Sequence, residues 1–289
     1  IYWAAGWFAP CDAVVYFRPS LLRLSPGLTV TDNSGVTKPF DSAALDSLLR
    51  RASHRGGLVR MVASKWLPGR ALGPFSYAGT FAPDPSDVIP HEDRRDLRGA
   101  RLIAAWLNHF DSREQNTMMT WMPDPTDPRR GHVRHWYIDL GDCFGSEWEW
   151  EGISKRLGHS YYFDPEDVLR DFATLGLPTR PWDRAQRTPE ARIFGFFSGS
   201  DFEPARWKGG YPNPTFARMD EHDGAWAAGS IAKSTYKDVL AAVQVGNYTD
   251  PEHVRFLTGA LIQRRDAILR RYFSRLSPLA APRFAPGQR

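Results

Sequence analysis

Apolar positions along this chain fall into short runs first and into helical stripes later. Residues 12–17, Asp12-Ala13-Val14-Val15-Tyr16-Phe17, predict a buried strand, and 28–31 predict a second. Asp32-Asn33-Ser34-Gly35 then carries a strong turn signal. Asp41 is the expected cap of a short helix whose Leu45, Leu48 and Leu49 share one face, and Gly56-Gly57 is expected to end it. Residues 58–67 predict one more strand before Pro68-Gly69. From 69 to 90 the composition shifts to Gly, Pro, Asp and Ser, a long loop of the kind that is functional or joins domains. Residues 90–108 predict a helix on the recurrence of Leu97, Ile103, Trp106 and Leu107, and 133–139 a strand after an exposed turn rich in Pro, Asp and Arg. The last third predicts helices. One starts at Asp164-Pro165-Glu166 and stops at Gly176, others begin near Asp220 and Thr235, and a long one opens at Asp250-Pro251 and runs to about Phe273.

Composition narrows the classes without naming a function. With 289 residues, 42% of them hydrophobic and 24% charged, the chain can bury a real core and is neither fibrous nor disordered. A net charge of +4 does not provide the concentrated basic face that nucleic acid requires. No apolar run approaches the length of a membrane span. Cys11 and Cys143 lie far apart in no metal-ligand spacing and leave the compartment undetermined. The opening Ile1-Tyr2-Trp3-Ala4-Ala5-Gly6-Trp7 reads as the last turns of a helix stopped by Gly6 and released by Pro10, so an upstream portion is expected.

The chemistry concentrates between His109 and Gly145. His109-Phe110-Asp111-Ser112-Arg113-Glu114-Gln115-Asn116 matches His-x-Asp-x-x-x-x-Asn, the spacing of the kinase catalytic loop. In that chemistry the Asp accepts a hydroxyl proton or orients the attacking oxygen, and the Asn reaches a magnesium ion on the nucleotide phosphates. Downstream, Tyr137-Ile138-Asp139-Leu140-Gly141 brings an apolar strand to Asp-x-Gly, the form of the Asp-Phe-Gly element with Leu140 in place of Phe. Asp139 would be the principal magnesium ligand, and Gly141 would let the backbone turn away sharply. The 23-residue step from Asn116 to Asp139 is long for a protein kinase and fits an inserted turn at 123–131.

Several further runs carry a wider resemblance. Val62-Ala63-Ser64-Lys65-Trp66-Leu67-Pro68-Gly69, Pro90-His91-Glu92-Asp93-Arg94-Arg95-Asp96-Leu97-Arg98-Gly99, Tyr211-Pro212-Asn213-Pro214 and Leu261-Ile262-Gln263-Arg264-Arg265-Asp266 are similar to an uncharacterised bacterial family with an atypical kinase-like fold. The resemblance spans nearly the whole chain. It implies an α+β, protein-kinase-like fold: a partial, β-rich N-terminal lobe with its hinge (1–75), a mostly helical C-terminal lobe (76–276) and a Pro-rich tail (277–289). It implies an ATP- and magnesium-dependent phosphotransferase of unknown substrate, with Asp111 catalytic, Asn116, Asp139 and Gly141 on the nucleotide, and Asn116 and Asp139 on the metal. Members of that family carry a strand Lys and a helix Glu upstream of the position of Ile1. A missing N-terminal segment or a protein partner is therefore expected to complete the small lobe. The alternative is a catalytically silent kinase-fold subunit that serves a larger assembly as a structural or binding component.

Other polar residues have plainer readings. Lys65 fits a solvated hinge better than a nucleotide lysine. His91, Arg94, Arg95 and Arg98 could hold a phosphate or an acidic partner, but salt bridges to Glu92, Asp93 and Asp96 are the plainer reading. His109 reads as a packed organiser of its loop, and His132 and His135 as non-metal residues without a third ligand. Asp142 and Ser146 could touch substrate or lie in a solvated turn. Trp121, Trp136, Trp148 and Trp150 could line a partner surface or fill the core.

Overall fold

Gly6 stops the first helix, α1 (Tyr2–Ala5), by taking the left-handed conformation at its C-cap. The computed structural model describes residues 1–32, 34–127, 129–145 and 150–276, so Ser146, Trp148, Glu149 and the tail 277–289 lie outside the described residues. The fold class is α+β, with small antiparallel sheets and several helices. The chain divides into two compact units, Cys11–Trp66 with Val245–Asn247, and the remainder. No helix among the described residues is long and apolar enough to cross a membrane.

The smaller unit holds β1 (Asp12–Phe17), β2 (Thr29–Thr31), β3 (Thr37–Pro39), α2 (Ser42–Arg51), β4 (His54–Arg55) and β5 (Leu58–Ser64). Its three-stranded sheet has the order β1-β5-β4 and pairs Val14 with Val62, while β2 and β3 form a separate hairpin. Asp41 caps α2 by accepting from the Ala44 amide at 2.9 Å, as the pattern predicted. The Gly56-Gly57 pair does not end that helix. Both glycines have positive φ and turn β4 into β5, the hairpin geometry that side chains with a Cβ resist. Among the described residues of this unit Val59 alone is buried.

The larger unit continues from α1 with β6 (Arg70–Gly73), α3 (Arg95–Leu107), β7 (Thr117–Pro123) and β8 (Gly131–Tyr137). There follow α4 (Glu151–Arg156), α5 (Pro165–Thr174), α6 (Pro214–Ala217), α7 (Glu221–Ile231), α8 (Tyr236–Gln244) and α9 (Pro251–Phe273). Helix α3 is the centre of its core. Leu97, Leu102, Ile103 and Trp106 are all buried, each such side chain contributing about 1.5–3 kcal/mol of transfer free energy. The Trp106 indole donates to the Leu261 carbonyl of α9 at 2.8 Å. Helix α7 begins with a capping box between Asp220 and Asp223, and a Cβ on its Gly224 would overlap the Tyr272 ring of α9. Strands β6, β7 and β8 form one antiparallel sheet in that order. The pairing of β7 with β8 runs from Thr117 opposite Tyr137 to Pro123 opposite Gly131, so the expected inserted turn is the tip of a hairpin.

The arginines at the start of α3 keep one of the expected local salt bridges, Arg94 with Asp96, and otherwise pair elsewhere. Arg98 holds Asp223 of α7 through Nε at 2.6 Å and Nη2 at 3.0 Å, and Arg95 stands 3.6 Å from the same carboxylate. Arg94 lies 3.6 Å from Asp96 and 3.8 Å from Asp87. Asp93 is taken by Arg218, and Glu92 by the Gly79 amide.

Candidate functional site

Helix α3 ends at Asn108, whose left-handed backbone terminates it. The Asn108 side chain accepts from the Trp207 indole at 2.9 Å, which fixes the exit of the chain. The chain then turns through His109, Phe110 and Asp111, and the Phe110 carbonyl accepts from the Gly210 amide at 2.6 Å. A single tight turn, Glu114–Asn116, leads directly into β7. At the other end of the hairpin the Ile138 amide donates to the Asn116 carbonyl at 3.0 Å. This bond extends the ladder one step beyond β8 and brings Asp139 beside Asn116.

Asp111 is buried. Its Oδ2 accepts from Asn116 Nδ2 at 2.8 Å, and its main-chain carbonyl accepts from the same amide nitrogen at 2.8 Å. Both N–H groups of Asn116 are thereby engaged, and its amide oxygen is left as the free acceptor. Arg113 Nε stands 3.0 Å from Asp111 Oδ1 but off its own N–H axis, so this contact is an ion pair and the buried Oδ1 has no well-formed hydrogen bond. Burial pushes the Asp111 carboxyl up, the Asn116 bond and Arg113 oppose that shift, and the charge of Asp139 adds to it. Asp142, half-buried in the turn Leu140–Asp142, faces Asp111 and is also pushed up, by burial first and then by Asp111 and Asp139. Asp111 and Asp142 thus hold their protons more tightly than free carboxylates do, with the Arg113 guanidinium opposing the shift of each.

Asp139 is exposed and adopts a left-handed conformation, φ 53° and ψ 58°. The sharp turn expected of Gly141 falls on Asp139 instead. Gly141 has no positive φ, and a Cβ there would meet only Asp139 Oδ1, at 3.8 Å. Left-handed backbone is tolerated by Asp better than by most residues, and strain of this kind collects at functional sites.

His109 is fully buried. Its Nδ1 lies 2.9 Å from the Tyr2 hydroxyl, and its Nε2 lacks a well-formed hydrogen bond. Burial lowers its pKa to about 4, with the Asp139 main chain opposing. A neutral ring accepting the Tyr2 hydroxyl proton at Nδ1 fits this setting. Tyr2 in turn stacks on Tyr137 with ring centroids 5.3 Å apart. Nothing in the spacing of α1 singled out Tyr2, because its link to the loop bridges 107 residues.

The remaining sequence candidates lie elsewhere. Lys65 is exposed and belongs to the smaller unit. His135 packs on Phe75 and His91, with centroids at 4.8 and 5.3 Å, and His132 is exposed. Trp136 is buried and Trp150 exposed. Among the described residues no three His, Cys, Asp or Glu side chains are grouped to hold a metal by themselves. Two cavities of about 460 Å³ each lie in the larger unit, and neither is lined by Asp111, Asn116, Asp139 or Asp142.

Comparison with known protein families, with curated proteins and with solved structures finds no match.

Proposed function

We propose that the segment from His109 to Asp139 is the catalytic and metal-binding part of an atypical kinase-like phosphotransferase that uses ATP and magnesium. The observation that carries this reading is the amide of Asn116, which gives both N–H groups to Asp111 and keeps only an acceptor oxygen, while the exposed Asp139 follows directly on Ile138, whose amide bonds the Asn116 carbonyl. Magnesium is held by few protein oxygens together with phosphate and water, so one amide oxygen and one carboxylate make a sufficient protein share. Magnesium–ATP, when bound, supplies the phosphoryl group and neutralises its charge. Asp111 orients the acceptor hydroxyl and takes its proton, a role suited to a buried carboxyl whose proton affinity is raised. His109 stays neutral and holds the loop between Tyr2 and the Asp139 main chain. A segment or partner carrying the phosphate-positioning Lys and its Glu completes the site.

Arg113 favours a second reading. Its guanidinium stands against the buried oxygen of Asp111 that a hydroxyl would approach. On that reading the protein is a catalytically silent kinase-fold subunit with a structural or binding role.

Calorimetry of ATP with and without magnesium, followed by radiolabelled phosphate transfer, separates the two readings. These 289 residues should bind ATP weakly, only with magnesium, and turn it over negligibly. The product of the whole reading frame, or the chain with its partner, should transfer phosphate. Absence of ATP binding in every form leaves the subunit reading.

A further inference from the structure

One of the two cavities, of about 460 Å³, opens at the C-terminal end of α3, where Asn108 borders it together with Arg101 of the same helix and Arg264 of α9. Arg264 is 5% exposed. Its Nε donates to the Trp106 carbonyl at 2.9 Å, its Nη1 to the Ser198 carbonyl at 2.8 Å and its Nη2 to the Ala105 carbonyl. The rings of Phe202 and Phe197 lie 3.7 and 4.6 Å from its Cζ. Carbonyls and ring faces satisfy a guanidinium without neutralising it, and no carboxylate among the described residues pairs with this one. Burial lowers its pKa to about 9, so it stays charged at neutral pH at the expense of stability.

A second guanidinium held by carbonyls, that of the half-buried Arg101, lines the same cavity. Arg101 Nη2 donates to the carbonyls of Ala205 and Trp207, each at 2.8 Å, and no carboxylate among the described residues pairs with it. A third, Arg156, has buried Nε and Nη2 atoms without partners and lies over the ring of Trp182, which lines the cavity. The acids around the cavity do not offset these charges. Asp167 is held by Arg180 and Arg170, Glu166 by Arg170, and Glu203 by Arg206, which leaves Asp201 without an ion-pair partner among the described residues. The cavity therefore carries surplus positive charge against aromatic walls.

We propose that this cavity binds a small ligand through a phosphoryl group, seated on the guanidinium groups of Arg101 and Arg264. Two unneutralised guanidinium groups match a dianion better than a carboxylate, and their remaining N–H groups suit several acceptor oxygens at once. The site is separate from the Asp111 cluster and does not depend on the phosphotransfer reading. The source is either free phosphate or an organic phosphate whose apolar part lies on Trp182.

Calorimetric titration of the full chain with inorganic phosphate, phenyl phosphate and benzoate tests the assignment. Phenyl phosphate is expected to bind and benzoate to bind at least about tenfold more weakly, a difference of about 1.4 kcal/mol. Tighter binding of phenyl phosphate than of inorganic phosphate identifies an organic ligand, and equal binding identifies phosphate itself. Arg101→Gln, at a half-buried position outside the α3 cap, should weaken binding about tenfold or more. Arg264→Lys should weaken it likewise if the chain folds, and Asp139→Asn should leave it unchanged. Failure of both phosphates to bind, or undiminished binding in Arg101→Gln, overturns the proposal. So does binding that disappears in Asp139→Asn while surviving in Arg101→Gln.

Discussion

The side-chain amide of Asn116 reaches back to Asp111 twice, at 2.8 Å to its carbonyl and at 2.8 Å to its carboxylate. The amide thereby locks the five-residue step between the two and leaves its oxygen as an acceptor. Asn116→Asp replaces two donors by a second carboxylate inside a cluster that already holds Asp111, Asp139 and Asp142. At neutral pH this variant should lose about 2–3 kcal/mol of stability, from the lost hydrogen bonds and the added repulsion. Lowering the pH into the carboxylate range protonates one partner, so the deficit should shrink. Urea denaturation at neutral and mildly acid pH measures both, and a deficit that is constant with pH would show that the carboxyls do not face one another.

Asp139 and Asp111 should fail differently if the phosphotransfer reading is right. Asp139→Asn removes the charge that would hold the metal, so magnesium-dependent ATP binding and turnover should both disappear. Asp111→Asn keeps the shape and the contact with Asn116 but cannot accept a proton. Binding should stay within about threefold while turnover falls about a hundredfold or more, because its role arises in the transfer step. Calorimetry and phosphate transfer on the complete protein check the pair. Equal loss of binding in both variants would place Asp111 on the nucleotide instead.

Much of the element order was legible because local rules and tertiary packing agree. Asp41, Asp164, Asp220 and Asp250 each cap the helix expected to start there, and the apolar stripe of α3 is the stripe that is buried. Strand β7 leaves little mark in the sequence because Thr117 to Pro123 alternates poorly, and its pairing partner is what makes it a strand. The closeness of the loop Asp111 and Asn116 was legible by spacing, since one tight turn joins them. The roles of Tyr2, Arg113 and Arg264 were not, because each acts through a contact that only the folded chain creates. The partner of Arg95 and Arg98 is hidden from the sequence for the same reason: Asp223 lies on another helix, and its buried carboxylate attracts them more than the solvated acids nearby.

That long-range pair gives a stability prediction. Asp223 is 1% exposed, and Arg98 holds it with two bonds between α3 and α7. Asp223→Ala leaves Arg98 without its partner and removes the capping-box contact to the Asp220 amide. The expected loss is about 3–5 kcal/mol, because the penalty is that of a largely buried unpaired charge. Arg98→Met combined with Asp223→Leu should recover more than half of that loss. Equilibrium denaturation of the two variants decides the matter. No recovery in the double variant would assign the loss to the cap.

His109 should make the protein acid-sensitive in a defined window. Its folded pKa is lowered to about 4 by burial, against about 6.5 in an unfolded chain. Between those values the unfolded chain takes up a proton that the folded chain refuses. Stability from this group is therefore complete above about pH 6.5 and falls as the pH drops toward 4, by about 3 kcal/mol across the window. His135, lowered to about 4 by burial and then by Arg94, acts in the same direction. Asp111 and Asp142 act in the opposite one, because their raised folded pKa favours the folded state as the carboxylate range is entered from above. His109→Gln keeps an acceptor for the Tyr2 hydroxyl but cannot titrate. Its stability should fall less steeply than that of the native chain between about pH 7 and about pH 5. Urea midpoints measured at intervals across that range compare the two slopes. Parallel slopes would mean that the ring is charged in the folded protein, and the neutral role given to His109 in the loop would be withdrawn.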